Sequence, residues 1–136
     1  MTIVTFDFDD TLTQTQWDPQ DECFKYIGPN LTILQILRDN LQLGNEVHIV
    51  TSRFGPEMNK DGDTWDRAQP AILPFLREHL SHDLEKLASV HWCGSLKRDK
   101  LAELGSSRHY DDDKVELSGL PDGCTGVLVT TLHGLE

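Results

Sequence analysis

Five short runs rich in β-branched and aromatic residues punctuate the 136-residue chain, and none is joined to the next by a tight turn. They are Thr2–Phe8 (TIVTFDF), Val47–Thr51 (VHIVT), Ser89–Cys93 (SVHWC), Ser107–Asp111 and Gly126–Thr131 (GVLVTT). Antiparallel neighbours can be joined by two residues, whereas parallel ones need a crossover, usually a helix. Strands alternating with helix-length connections therefore predict an α/β domain. The expectation is a Rossmann-like, doubly wound, mainly parallel five-stranded sheet with helices on both faces. Residues 1–136 fit a single domain.

The connections carry their own signals. Leu31–Leu43 reads as a helix, with Asn30 as N-cap, Leu34, Leu37 and Leu41 at helical spacing, and Gly44 as the stop. Gln69–Leu80 reads as a helix begun by Pro70 and bent by Pro74. A short helical turn is expected at Leu84–Leu87, a helix over Lys97–Leu104 ended by Gly105, and one turn at Val115–Leu117. Thr11–Gly28 reads as polar and irregular, with Trp17-Asp18-Pro19 arguing against a helix. Arg53–Thr64, rich in Gly, Pro, Asn and Asp, reads as a loop and a candidate flap. Neither it nor Thr13–Asn30 leaves room for a large cap domain.

Composition narrows the function classes. The formal net charge of −11 disfavours binding to nucleic-acid backbone unless a local basic patch overrides it. No apolar run approaches the roughly 20 residues of a membrane span. Acids arrive by Asp7 with no basic segment before them, which is unlike a signal peptide and predicts a cytoplasmic protein. Cys23, Cys93 and Cys124 lack a CxxC spacing and suit a reducing compartment. His91 and Cys93 could form half a zinc site, but no matching pair stands out, so half-buried strand residues are expected there.

Ligands of such sheets bind outside the carboxyl ends of the strands. Those positions hold Asp7-Phe8-Asp9-Asp10-Thr11, then Thr51-Ser52-Arg53, then Gly94-Ser95-Leu96-Lys97-Arg98-Asp99-Lys100, then Asp111-Asp112-Asp113. Alternation along the first strand puts Phe6 and Phe8 on one face and Asp7 and Asp9 on the other. Acids this close repel and call for a positive partner.

In these four blocks the chain resembles the haloacid dehalogenase superfamily of phosphohydrolases, over nearly its whole length. Asp7-Phe8-Asp9-Asp10-Thr11-Leu12 matches the first motif, DxDx[TV]L, and Val47–Thr51 the second, a strand ending in Thr or Ser. A lysine opening a helix is the third motif, and an acidic pair after a strand the fourth.

The resemblance implies roles. Asp7 would be the nucleophile that forms a phospho-aspartyl intermediate. Asp9 would protonate the leaving group and then deprotonate water. Thr51 would donate its hydroxyl to phosphate. Lys97, favoured over Lys100 by the family's spacing, would hold Asp7 and phosphate together. Mg²⁺ would be bound by Asp7, the Asp9 backbone carbonyl and Asp112, with Asp111 as the other member of the pair and Asp113 as a helix cap. Thr11, Ser52, Arg53 and Lys100 are candidate substrate contacts: Thr11 through its backbone N–H, Arg53 through its fork. Asp10 stands where the family often has Gly and is given no chemistry. The implied substrates are nucleotides or nucleic-acid terminal phosphates, with a protein or sugar phosphate, or a non-catalytic binding protein, as alternatives. An intact set of acids argues against the last.

Overall fold

The computed structural model describes residues 2–54 and 70–130. Its elements run β1 (Ile3–Phe6), β2 (Thr13–Asp18), β3 (Cys23–Pro29), α1 (Leu31–Gln42), β4 (Glu46–Thr51), α2 (Ile72–Leu80), a 3₁₀ segment (Ser81–Lys86), β5 (Ser89–Trp92), α3 (Arg98–Leu104), β6 (Arg108–Asp111), α4 (Lys114–Ser118) and β7 (Thr125–Leu128). The main sheet has the order β5-β4-β1-β6-β7, and every neighbouring pair is parallel. The chain starts in the middle, moves outward through β4 and β5, then crosses to build β6 and β7 on the other side. Among the described residues, no helix is long and apolar enough to cross a membrane.

The two faces of this sheet differ in kind. Alternate strand residues point to opposite faces. Val4, Phe6, Val47, Ile49 and Tyr110 meet α1 through Ile33, Leu34, Leu37 and Leu41, and α2 through Ile72, Phe75, Leu76 and Leu80, in one apolar cluster. Phe6 stacks on Tyr110 with ring centroids 4.6 Å apart. Phe8 continues the alternation and meets Phe75 edge-on. The intervening positions are polar: Thr5 lies in register between His48 and His109. All three are buried, and all three are hydrogen-bonded, as buried polar groups must be to avoid a desolvation cost.

Several expectations need correction. The stretch read as irregular, Thr11–Gly28, holds an antiparallel hairpin, β2 with β3, whose stem closes where Asn30 N–H donates to the Leu12 carbonyl at 2.8 Å. Its alternation was hidden because the inward residues of β2 are Thr13 and Thr15 rather than aliphatics. α2 begins at Ile72, and Pro74 sits in its first turn. A proline there removes an N–H that would have no partner within the helix, so it need not bend the helix. The turn expected at Leu84–Leu87 is the 3₁₀ segment beginning at Ser81. Of the candidate flap, residues 55–64 lie outside the described residues, as do Gln69 and Thr131. Cys23 is exposed on β3, while Cys93 and Cys124 are half-buried, and all three are free thiols.

Candidate functional site

Asp7 is the first residue beyond β1, and its N–H donates to the Tyr110 carbonyl of β6 at 2.9 Å. The backbone then turns sharply: Thr11 and Leu12 both donate their N–H groups to the Phe8 carbonyl. This brings the Thr11 hydroxyl onto Asp7 Oδ2 at 3.0 Å. Asp10 takes a left-handed conformation, φ 59°, which costs a non-glycine residue free energy. The hairpin holds it there: Thr15 donates to Asp10 Oδ1 at 2.6 Å, and Asp10 N–H donates to Thr13 Oγ1 at 2.9 Å. This is a position where glycine's conformational freedom would serve.

Across the sheet, Lys97 caps α3 and is 2% exposed. Its N–H donates to Glu116 of α4. Its ammonium lies between Asp7 Oδ1 at 2.9 Å and Asp111 Oδ2 at 2.7 Å. Asp111 also accepts from His109 Nε2 at 2.8 Å and from Asp113 N–H at 3.0 Å. One oxygen from each of Asp7, Asp111 and Asp112 lies within 4.8 Å of the others, the grouping suited to a metal ion among the described residues. These residues, with Asp9, Asp10, Ser52, Asp113 and Lys114, line a cleft of about 500 Å³.

The electrostatics follow from this crowding. Burial pushes Asp7 up to about 6 despite the Lys97 ammonium, and the Asp111 charge adds to the rise. Burial, together with the charge and hydrogen bond of Asp7, pushes Asp112 up to about 9. Asp111 moves the other way. Burial would raise it, but its hydrogen bond from His109 and the adjacent Lys97 hold it well below the usual carboxylate range. Burial would lower Lys97, but Asp7 and Asp111 outweigh that and hold it above its ordinary value. Two carboxyls so raised mark a site that is short of positive charge.

The structure sorts the expected residues. Asp7, Asp9, Ser52, Lys97, Asp111 and Asp112 come together at the cleft. Asp113 caps α4 by accepting from Val115 N–H. Thr51 is buried at the end of β4 and accepts the Arg53 N–H at 3.2 Å. Three expected substrate contacts have partners within the protein. Thr11 has its N–H engaged by Phe8, and it touches Asp7 through its hydroxyl instead. Lys100 pairs with Glu103 at 3.0 Å on the surface of α3. Arg53 is 0% exposed, and its fork is occupied. Nε and Nη2 grip the two oxygens of Asp9 at 3.0 and 2.6 Å, Nη2 also donates to the Pro70 carbonyl, and the guanidinium lies over Phe8.

Sequence reasoning missed Lys114 on the cleft wall and the His109 contact to Asp111. The alternation of β6 could have shown that His109 and Asp111 share a face.

No family model matches the chain, and no curated protein matches it. Among solved structures, a hypothetical protein from Xanthomonas campestris is similar at 19% identity and a TM-score of 0.47, covering 92% of this chain. The chain spans 62% of that protein's length.

Proposed function

We propose that this protein is a Mg²⁺-dependent phosphomonoester hydrolase of haloacid dehalogenase type, without a large cap, acting through a phospho-aspartyl intermediate on Asp7. The observation that carries the reading is the Lys97 ammonium, clamped between Asp7 and Asp111 at the carboxyl ends of the adjacent parallel strands β1 and β6. The finer architecture belongs to the same proposal: a doubly wound sheet with helices on both faces.

The donor set fits a hard divalent cation. Asp7, Asp111 and Asp112 offer carboxylate oxygens within 4.8 Å of one another, the ligand type Mg²⁺ takes. Bound there, Mg²⁺ would supply charge neutralisation for an anionic phosphate. The chain's own residues do the rest. Asp7, aimed by the Thr11 hydroxyl and Lys97, attacks phosphorus as the nucleophile. Asp9 lies on the cleft wall, where the Arg53 fork holds it as a carboxylate. In this reading it leaves that fork and takes up a proton before handing it to the leaving oxygen, and later takes one from water. Lys97 offsets the charge that develops on the transferred group.

The substrate class follows from charge. A net charge of −11 opposes a long polyanion, so a mononucleotide or another small phosphoester suits the cleft better than a polynucleotide end.

Phosphate release from an aryl phosphate, with Mg²⁺ or with EDTA, tests the reading. EDTA abolishes the activity, and Asp7→Asn lowers kcat by about a thousandfold or more, the scale on which a nucleophile is missed. Equal rates for wild type and Asp7→Asn sink it. Mononucleotides compared with 3′- and 5′-phosphorylated oligonucleotides at two salt concentrations then settle the class.

A further inference from the structure

We infer that His109 is a positioning residue of the cleft: through Asp111 it fixes where the Lys97 ammonium stands against Asp7. This rests on the reading of Lys97 and Asp111 as working parts of the site. His109 lies on β6, 0% exposed, two residues before the end of the aspartate-bearing strand edge. Burying an imidazole is costly unless its nitrogens are partnered. A Leu or Phe would fill similar space without that requirement, so packing alone does not call for a histidine.

Both nitrogens have partners that form an ordered chain. Nδ1 is 2.8 Å from the Thr5 hydroxyl, which is itself 2.8 Å from the Ser106 hydroxyl. Nε2 is 2.8 Å from Asp111 Oδ2. A carboxylate with low proton affinity only accepts, so Nε2 donates. Asp111 Oδ2 therefore receives both His109 and Lys97, and Asp113 N–H fills a place on Oδ1. Three donors fix the plane of that carboxylate. Lysine has four rotatable methylenes, and its ammonium stays where its acceptors are held. Removing His109 frees the Asp111 carboxylate to turn and lets the ammonium drift from Asp7.

A built-in control exists. His48 is also buried, on the same sheet face and in register with Thr5, but it bonds Glu46 and His91, which do not line the cleft.

The experiment compares wild type, His109→Leu, His109→Gln and His48→Leu, each checked for folding by circular dichroism. Two quantities are read besides activity. One is the ¹H–¹⁵N resonance of the Lys97 ammonium in the metal-free protein. The other is the Mg²⁺ affinity by calorimetry. The expected result is a shifted or lost Lys97 resonance in His109→Leu, with Mg²⁺ binding weakened about tenfold to a hundredfold, the range for partners of metal-binding groups. His109→Gln, whose amide can donate to the same oxygen, restores most of both. His48→Leu changes neither. A His109→Leu protein with the wild-type Lys97 resonance and Mg²⁺ affinity overturns the inference, whatever its melting temperature. Should that variant not fold, His109→Phe keeps a ring of similar volume and removes the donor to Asp111; an unmoved Lys97 resonance there overturns it equally. Should wild type neither bind Mg²⁺ nor release phosphate, the phosphatase reading falls, and the Lys97 resonance still decides the role of His109.

Discussion

Lys97 and Lys100 are separated by two residues and indistinguishable in charge, yet the fold gives them opposite environments. Lys97 is enclosed by Asp7 and Asp111, while Lys100 pairs with Glu103 at the surface. Removing one partner of a buried pair leaves the other uncompensated, at about 3–5 kcal/mol. Lys97→Met is therefore expected to lower stability by about 3 kcal/mol at pH 7 and to abolish activity. Lys100→Met is expected to stay within about 0.5 kcal/mol of wild type, as exposed substitutions do. Urea unfolding of both variants checks this, and similar midpoints for the two would refute it. Arg53 teaches the same lesson. Its residue type suggested a phosphate contact, but Asp9 had already claimed the fork.

At the level of elements, the helices that present the site are short and depend on their ends. α3 has seven residues and closes on Gly105, at φ 73°, whose N–H donates to the carbonyls of Leu101 and Ala102. An added Cβ would meet Ile3 at an ordinary 3.8 Å, so the cost of Gly105→Ala is conformational. That substitution is expected to destabilise by about 1 kcal/mol, the left-handed penalty for a side chain, seen as a lowered thermal midpoint. The hairpin β2–β3 matters to the site through Asp10, whose strained backbone is held by Thr13 and Thr15. It was missed because a two-stranded ribbon with threonines facing inward lacks the apolar alternation by which strands are read. The strands of the main sheet were legible because β-branched runs bracketed by helix signals leave few other readings.

For the molecule as a whole, the cleft sets a pH dependence. Folded Asp7 and Asp112 hold protons more tightly than unfolded aspartates, up to about pH 6 and about pH 9. Between their ordinary value of 3.8 and those values the native state binds more protons, so stability falls as pH rises across that window. The lowered Asp111 costs stability only as pH falls below the ordinary carboxylate value, and the raised Lys97 only at strongly alkaline pH, so neither reverses the slope. Thermal melts without metal should therefore show a lower midpoint at pH 8 than at pH 6. Mg²⁺ in place of the proton that Asp112 holds at neutral pH should abolish or invert that trend, and its binding near pH 7 should release about one proton, measurable by calorimetry in two buffers. A metal-free protein that is equally stable at both pH values refutes the charge-shortage account.

The sequence by itself determined the alternation of strands and helices and the position of each cluster of acids at a strand end. Both are local: they follow from β-branching, helical spacing and punctuation by Gly and Pro. The resembled family's spacing already favoured Lys97, but only the tertiary structure decided that its ammonium bridges Asp7 and Asp111, and that Arg53 serves Asp9. Those outcomes depend on strands distant in sequence being brought into register, β1 beside both β4 and β6. A charged side chain settles on whichever opposite charge the fold places within reach, and no spacing along the chain encodes that distance.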